Sequence, residues 1–193
     1  MRIMETGKKV FIAGSRRLSR LSADVKRRID NIVDRRLTVI VGDANGADKA
    51  VQKYLDSRRY DCVIVFCMED GCRNNVGKWR TRKVEAADPS RRDFTYYSTK
   101  DREMVGEADY GLMLWDGRSR GTLRSIVDLV QRAKPAVVYV APNKSFWTLR
   151  HADDLSDMLR QVDPASLQRV NADLKLSTVR PGTAEGSESL PLF

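Results

Sequence analysis

The sequence has few of the features that mark membrane, secreted or metal-dependent proteins. No apolar run approaches the roughly 20 residues that a membrane-spanning helix requires, and residues 1–9 contain no apolar segment of signal-peptide length. The chain holds one histidine and three cysteines, and Cys62, Cys67 and Cys72 lack C-x-x-C spacing. We therefore expect a cytoplasmic protein with no metal site, in which Cys62 and Cys67 are buried thiols that fill space.

Two common phosphate-binding motifs are also absent. No G-x-G-x-x-G follows the first apolar run, and residues 42–49 (GDANGADK) have neither the spacer nor the Lys-Ser/Thr ending of a P-loop. These absences argue against a kinase, an ATPase and a conventional NAD-dependent dehydrogenase. We accordingly expect no bound cofactor.

Acidic residues are fewer than basic ones, 26 against 35, which gives a formal charge of +9. Such a charge suits a nucleic-acid or nucleotide partner, but it also serves solubility alone. The basic residues are scattered in pairs such as Arg16/Arg17 and Arg58/Arg59, without interleaved aromatic residues on which bases would stack. Charge alone therefore does not identify the partner.

Short apolar segments alternate with amphipathic ones along most of the chain. Continuous apolar runs predict five strands, at residues 8–13, 37–41, 62–67, 110–115 and 136–140. Apolar residues at helical spacing lie between them. Strands that are apolar throughout are typical of a parallel sheet buried on both faces. The sequence thus predicts an α/β fold, a Rossmann-like parallel sheet of about five strands with helices on both faces.

The alternating pattern weakens after Pro142. We assign residues 1–145 to a single Rossmann-like domain and residues 146–193 to a C-terminal extension. In this extension the sequence predicts a short helix at 153–159 and disorder over the Gly/Ser/Pro-bearing residues 177–193. The polar, arginine-rich residues 68–93 are predicted to form a long loop that carries one short strand.

The loops that follow the predicted strands combine glycine with Ser, Asp, Asn or Arg. Loops after parallel strands emerge at one edge of the sheet, where ligands of this fold class bind. Glycine allows close approach of the backbone, and helix N-termini favour anions. Since one helix terminus contributes only about 0.3–1 kcal/mol, several loops must converge on one ligand. The sequence predicts a site there for a phosphate-bearing, nucleotide-type ligand.

Four segments resemble the SLOG superfamily in order and spacing: VFIAGSR (10–16), VGDANGAD (41–48), KDREM (100–104) and ADYGLMLWDGRSRGT (108–122). This superfamily includes the Smf-type DNA-processing proteins and the Lonely-Guy phosphoribohydrolases. The resemblance implies a nucleotide-binding Rossmannoid domain that forms a homodimer. By position it implies these nucleotide-binding residues: Gly14, Ser15, Arg16, Gly42, Asp43, Gly46, Asp48, Asp116, Gly117, Ser119, Gly121 and Thr122.

The positions that correspond to the catalytic residues of the phosphoribohydrolases differ from that pattern. The expected Glu, three residues after Thr122, is Ser125, and the expected Arg is Lys100, which keeps the charge but lacks the bidentate fork. Lys100 and Asp116 are the catalytic candidates. Asp116 could act as nucleophile or base, but Asp-Gly is also a turn signal, and we favour a turn or a ribose hydrogen bond.

The remaining polar and aromatic residues near these loops allow two interpretations each. Asp43 and Asp48 either bind ribose hydroxyls or cap a helix. Arg73, in the loop after the third strand, either reaches a base or phosphate or is solvated. Tyr97 and Trp115 are expected to pack in the core.

Three functions are compatible with these residues. The leading hypothesis is a binder of a nucleotide-derived small molecule, a sensor in a bacterial defence or stress pathway, because the binding loops are intact while the catalytic Glu is missing. The alternative is N-glycosidic cleavage of nucleoside monophosphates. The third is binding of single-stranded DNA, which the charge of +9 favours and the scattered basic residues disfavour. Nucleic acid is therefore a less favoured partner than a small nucleotide.

Overall fold

A computed structural model describes residues 7–85, 94–162, 165 and 193. The strands are β1 (Lys9–Gly14), β2 (Thr38–Gly42), β3 (Val63–Met68), β4 (Arg80–Val84), β5 (Tyr110–Trp115), β6 (Ala136–Val140) and β7 (Ser145–Leu149). The helices are α1 (Ala23–Asp34), α2 (Ala47–Ser57), α3 (Phe94–Glu107), α4 (Arg120–Gln131) and α5 (Ala152–Val162). Apart from Phe193, the segment predicted to be disordered, 177–193, lies outside the described residues.

The seven strands form one sheet in the order β4-β3-β2-β1-β5-β6-β7. All neighbours pair in parallel except β7, which is antiparallel to β6. The predicted Rossmann-like α/β fold is confirmed; the sheet has seven strands where about five were predicted, and only β7 is antiparallel. The two additional strands are at the ends of the sheet. In β4, RTRKV, the first four side chains are exposed and three of them are charged, so the strand lacks the apolar run that marks a central strand.

The core lies on both faces of the sheet, because the central strands alternate their buried side chains between two helical layers. In β1, Val10 and Ile12 pack with α1 and α2 on one face, while Phe11 packs with α3, α4 and α5 on the other. All three side chains are fully buried. The helices therefore cover both faces of the sheet. The edge at which the parallel strands end stays open for a site.

Helix α1 shows how local sequence sets these elements. Ser22 caps its N-terminus by accepting a hydrogen bond from the Val25 backbone N–H (3.3 Å). Val25, Ile29 and Ile32 then repeat at helical spacing and are buried against the sheet. The sequence pattern is sufficient to predict this helix.

Residues beyond Ser145 belong to the same core. Strand β7 extends the sheet, and α5 buries Leu155, Met158 and Leu159 against it. The boundary assigned at residue 145 thus falls at the start of β7. In the part of the chain that the structure describes, no helix is both long and apolar enough to cross a membrane.

Candidate functional site

The chain forms a cleft of about 630 Å³ where the loops after β1, β2 and β5 meet. Strand β1 lies between β2 and β5, so the chain reverses its direction across the sheet at this point, which is where ligands bind in open α/β folds. Predicted site residues that line the cleft are Gly14, Arg16, Asp48, Lys100, Asp116, Ser119, Gly121 and Thr122. Predicted site residues that do not line it are Ser15, Gly42, Asp43, Gly46 and Gly117.

Two of the predicted glycines allow loops to pack on each other. A Cβ at Gly14 would meet the Leu114 carbonyl oxygen at 2.5 Å and Ala47 Cβ at 2.8 Å. Gly46 has φ of +86°, and a Cβ there would collide with the Arg16 backbone. These glycines are needed for the close approach of backbone to backbone, which holds the first two loops together at the cleft.

The loop after β5, which is the third loop of the cleft, is held in place by the carboxylate of Asp116. Its Oδ1 accepts hydrogen bonds from the backbone N–H groups of Arg118 (3.0 Å) and Ser119 (2.8 Å) and from the Ser15 hydroxyl (2.9 Å). Burial acts to raise the pKa of Asp116, but these hydrogen bonds outweigh it and lower the pKa below the usual range. Two backbone donors of this loop, those of Arg118 and Ser119, are thus already bound to Asp116.

A network of charged side chains lies in the wall of the cleft. Lys100 Nζ donates to Asp43 Oδ1 (2.5 Å), and both side chains are almost fully buried. The Arg73 guanidinium donates to the same carboxylate (2.8 Å), as does the Arg73 backbone N–H (3.0 Å). Burial acts to raise the pKa of Asp43, but the hydrogen bonds from Arg73 and the charge of Lys100 lower it to about 2. Asp43 is therefore ionised and fixes both cations.

Cys67 and Cys72 form a disulfide. The expectation that Cys67 is a buried thiol is correct for its burial but wrong for its chemistry. The bond joins the end of β3 to the residue before Arg73, and Gln52 holds the next turn through the Asn74 carbonyl (3.2 Å). These contacts fix the start of the loop that brings Arg73 to Asp43.

Two further carboxyl groups, Asp48 and Asp101, face the cleft and are here called the acidic floor. Asp48 is only 7% exposed, and one of its oxygens accepts from the Ala44 backbone N–H (3.2 Å). Burial raises its pKa to about 7, against the charge of Lys100. Burial also raises the pKa of Asp101. Perturbed carboxyl groups in a cleft are typical of functional sites.

The raised pKa of Asp48 predicts a pH-dependent gain in stability for Asp48→Asn. A carboxyl whose folded pKa is raised destabilises the fold increasingly as pH rises from its unfolded value near 4 to about 7. The variant should therefore be more stable than the wild type at pH 8, on the order of 2–4 kcal/mol, with a smaller gain at pH 5. Thermal unfolding at both values measures it.

The control for this prediction is Asp56→Asn, on the exposed side of the same helix. It should change stability equally at pH 5 and pH 8. An Asp48→Asn protein that is no more stable than the wild type at pH 8 would refute the prediction.

Arginines surround the opening of the cleft. We call Arg16, Arg17, Arg118 and Arg120 the basic rim; all four line the cleft and are exposed. Among the described residues, the guanidinium groups of Arg17, Arg118 and Arg120 make no hydrogen bond or ion pair. Of these four, only Arg16 was predicted as a site residue, although the GSRR and DGRSRG loops carry them all.

Trp115 packs in the core as expected, and Tyr97 packs against the core but also lines the cleft. Trp115 is 1% exposed and packs in the core. Tyr97 is half-buried and lines the cleft, with the Arg73 guanidinium 4.9 Å and the Arg16 guanidinium 5.8 Å from its ring centroid. No local signal in the sequence distinguishes it from its buried neighbour Tyr96.

The catalytic candidates are both engaged in structural contacts. Lys100 is paired with Asp43, and Asp116 holds its own loop. Ser125, at the position of the expected Glu, is buried and donates to the Gly121 carbonyl (3.3 Å). Within residues 7–85 and 94–162, no group of three or more His, Cys, Asp or Glu side chains is arranged to hold a metal ion.

The fold is similar to that of two solved proteins. One is DNA processing protein A from Helicobacter pylori, which has a single-stranded DNA binding mode; the TM-score is 0.55 at 18% identity, over 88% of this chain and 81% of that chain. The other is DNA processing protein A from Streptococcus pneumoniae, with a TM-score of 0.51 at 14% identity, over 68% of this chain and 50% of that one. No protein-family model and no curated protein matches the sequence. The chain therefore shares its Rossmann-like α/β fold with DNA processing protein A.

Proposed function

We propose that this protein binds single-stranded DNA across the cleft, with the basic rim contacting the phosphates. The observation that carries the proposal is that Arg17, Arg118 and Arg120 line the cleft without a partner among the described residues. An unpaired guanidinium is the preferred protein group for a phosphate, because it donates two parallel hydrogen bonds and is always charged. Several such groups at one opening suit a chain of phosphates.

The loop contacts support phosphates at the rim more than a phosphate buried among the glycines. The backbone N–H groups of Arg118 and Ser119 are bound to Asp116, and a phosphate near the acidic floor would face Asp48 and Asp101. The negative phosphate would be repelled by these two carboxylates when they are ionised. Placement of the phosphates on the rim avoids both costs.

The fold supports the same proposal. The Helicobacter pylori protein that it resembles binds single-stranded DNA. At 18% identity the likeness extends to the fold alone, so the argument for this chain depends on its own arginines. Membership of the SLOG superfamily is a further proposal that this similarity favours; a homodimer remains a proposal from the sequence resemblance alone.

The proposal predicts strongly salt-dependent binding of a thymidine strand of about 20 nucleotides, longer than the usual footprint of one binding domain. Each neutralised phosphate contributes about −0.7 to the slope of log K against log salt concentration. With three to four arginine contacts we expect a slope of roughly −2 to −3 between about 50 and 200 mM salt. Fluorescence anisotropy of a labelled strand measures it.

Two outcomes would overturn this function. Affinity that does not change with salt would exclude phosphate contacts as its source. Equal affinity for a blunt duplex of the same length would show that the protein does not distinguish single strands.

A nucleotide-derived small molecule is the second candidate ligand, because a cleft of about 630 Å³ lies within the size range of small-molecule sites. Thermal-shift measurements with nucleoside mono-, di- and triphosphates test it, since a ligand at a hundredfold excess over its dissociation constant stabilises a protein by about 2.7 kcal/mol. Assay of each stabilising ligand for released base separates a sensor from an N-glycosidic hydrolase. The engaged states of Lys100 and Asp116 favour the sensor.

A further inference from the structure

The cleft contains planar side-chain groups, an aromatic ring and guanidinium groups, that phosphates bound at the rim would not contact. The guanidinium groups of Arg73 and Arg16 lie 4.9 Å and 5.8 Å from the centroid of the Tyr97 ring, which is half-buried in the cleft wall. Unstacked bases of single strands stack on aromatic rings and on arginine planes. A strand held at the rim can therefore turn one base into the cleft against this surface.

Next to this surface lies the carboxylate of Asp101, which has no hydrogen-bond donor among the described residues. Asp101 follows Tyr97 by four residues on α3, so the two side chains share a face of the helix. Both line the cleft, and among the described residues the Asp101 carboxylate makes no hydrogen bond or ion pair. An ionised carboxylate is a hydrogen-bond acceptor only. A base that stacks beside Tyr97 thus meets two oxygens that need donors.

The other half of the acidic floor has the same character. Asp48 is more than nine-tenths buried and lines the cleft, yet only one of its oxygens has a hydrogen-bond donor, the Ala44 N–H. Its second oxygen is not among the buried unpaired atoms of the described residues, so a ligand in the cleft can reach it. This position therefore also favours a ligand that presents N–H groups.

We propose that Tyr97 and Asp101 form a base pocket that selects guanine from a bound strand; this rests on the proposed function, because the basic rim brings the strand to the cleft. Guanine alone presents two adjacent donors, N1–H and the N2 amino group, on its Watson–Crick edge, and these match the two oxygens of one carboxylate. Thymine flanks its single donor with carbonyl groups. Adenine and cytosine place a ring-nitrogen acceptor beside their amino group. The lone pair of that nitrogen would face an oxygen of the Asp101 carboxylate and be repelled by it.

The test uses thymidine octamers in which one central nucleotide is guanine, adenine, cytosine or thymine. Bidentate pairing of a side chain with one base discriminates by roughly tenfold or more, so we expect the guanine strand to bind about ten times more tightly than the others. Asp101→Asn replaces one acceptor oxygen with an amino donor and should remove this preference while the thymine strand still binds. The matched control, Asp157→Asn on α5, makes the same charge change at an exposed site and should retain it.

The outcomes separate this proposal from the proposed function. Equal affinity of the wild-type protein for all four octamers would refute the guanine pocket and leave single-stranded DNA binding intact, and this result needs no variant. A guanine preference that Asp101→Asn retains would also refute it.

Guanosine monophosphate is the second probe, because a free nucleotide presents the same base edge. If no octamer binds and guanosine monophosphate binds only when Asp101 is present, the proposed function is wrong and the pocket serves a free nucleotide. If neither probe binds, both proposals are wrong.

Discussion

The double variant Arg118→Glu/Arg120→Glu should bind a thymidine strand at least about a hundredfold more weakly than the wild type. Both guanidinium groups line the cleft without a partner among the described residues, so each is available to a phosphate. A hydrogen bond to a charged group contributes about 1.5–3 kcal/mol, and the loss of two such contacts corresponds to a factor of a hundred or more. The introduced carboxylates add repulsion.

The fold should tolerate this double variant. Arg120 is the first residue of α4, where a negative side chain interacts favourably with the positive end of the helix. Arg118 acts in its loop through its backbone N–H, which any residue other than proline supplies. A loss of binding with an unchanged melting temperature would therefore report the phosphate contacts and not unfolding.

The control for net charge is Arg27→Glu/Arg160→Glu. These arginines lie on α1 and α5, each in an exposed i,i+3 pair, and neither lines the cleft. The control changes the charge of the protein by the same amount. If it weakens binding as much as the cleft variant does, the protein attracts DNA through its overall charge and the cleft is not the site.

The salt dependence provides a second readout of the same variant. Removal of two phosphate contacts should make the slope of log K against log salt concentration less steep by about 1.4. A hundredfold loss with an unchanged slope would place the lost contacts on the bases.

The sequence was sufficient to predict the central part of the fold, for a physical reason. Strands β1, β2, β3, β5 and β6 are buried on both faces and so have continuous apolar sequences. The end strands lack this signal. In β4 four of five side chains are exposed, and β7 follows Pro142 with a mixed sequence, so their positions depend on pairing with β3 and β6.

The sequence also predicted which loops meet at the cleft, but not the contacts that their residues make. The strand order brings together loops that are a hundred residues apart, as in the Ser15 contact with Asp116. That Asp43 binds Arg73 and Lys100 depends on packing that no local spacing encodes. The glycines were predicted to approach a ligand, whereas Gly46 approaches the Arg16 backbone.

Removal of the Asp43 carboxylate should cause the largest loss of stability. Lys100 is 3% exposed, and Asp43 is its ion-pair partner among the described residues. When one member of a buried pair is removed, the other remains as an uncompensated charge, which typically costs about 3–5 kcal/mol. We expect Asp43→Ala to lose about that much in urea unfolding. Asp24→Ala, which breaks an exposed pair with Arg27, should lose less than about 1 kcal/mol.

The stability lost in Asp43→Ala should depend on pH in a defined direction. Because the folded pKa of Asp43 is lowered to about 2, its contribution to stability is present above the unfolded value near 4 and is lost as pH falls through 2. The difference between wild type and Asp43→Ala should therefore be largest at neutral pH and should shrink below pH 4. A constant difference from pH 7 to pH 2 would contradict an ionic origin.

The double variant Asp43→Ala/Lys100→Met distinguishes an unpaired charge from lost packing. If the cost of Asp43→Ala is the buried ammonium group of Lys100, its replacement by an apolar side chain of similar length should restore most of the lost stability, as it does where apolar residues replace buried ion pairs. If the double variant is as unstable as the single one, the loss instead reflects the contacts of Asp43 with the Arg73 loop. In that case Arg73→Ala should lose a comparable amount, because it removes the same contacts from the other side.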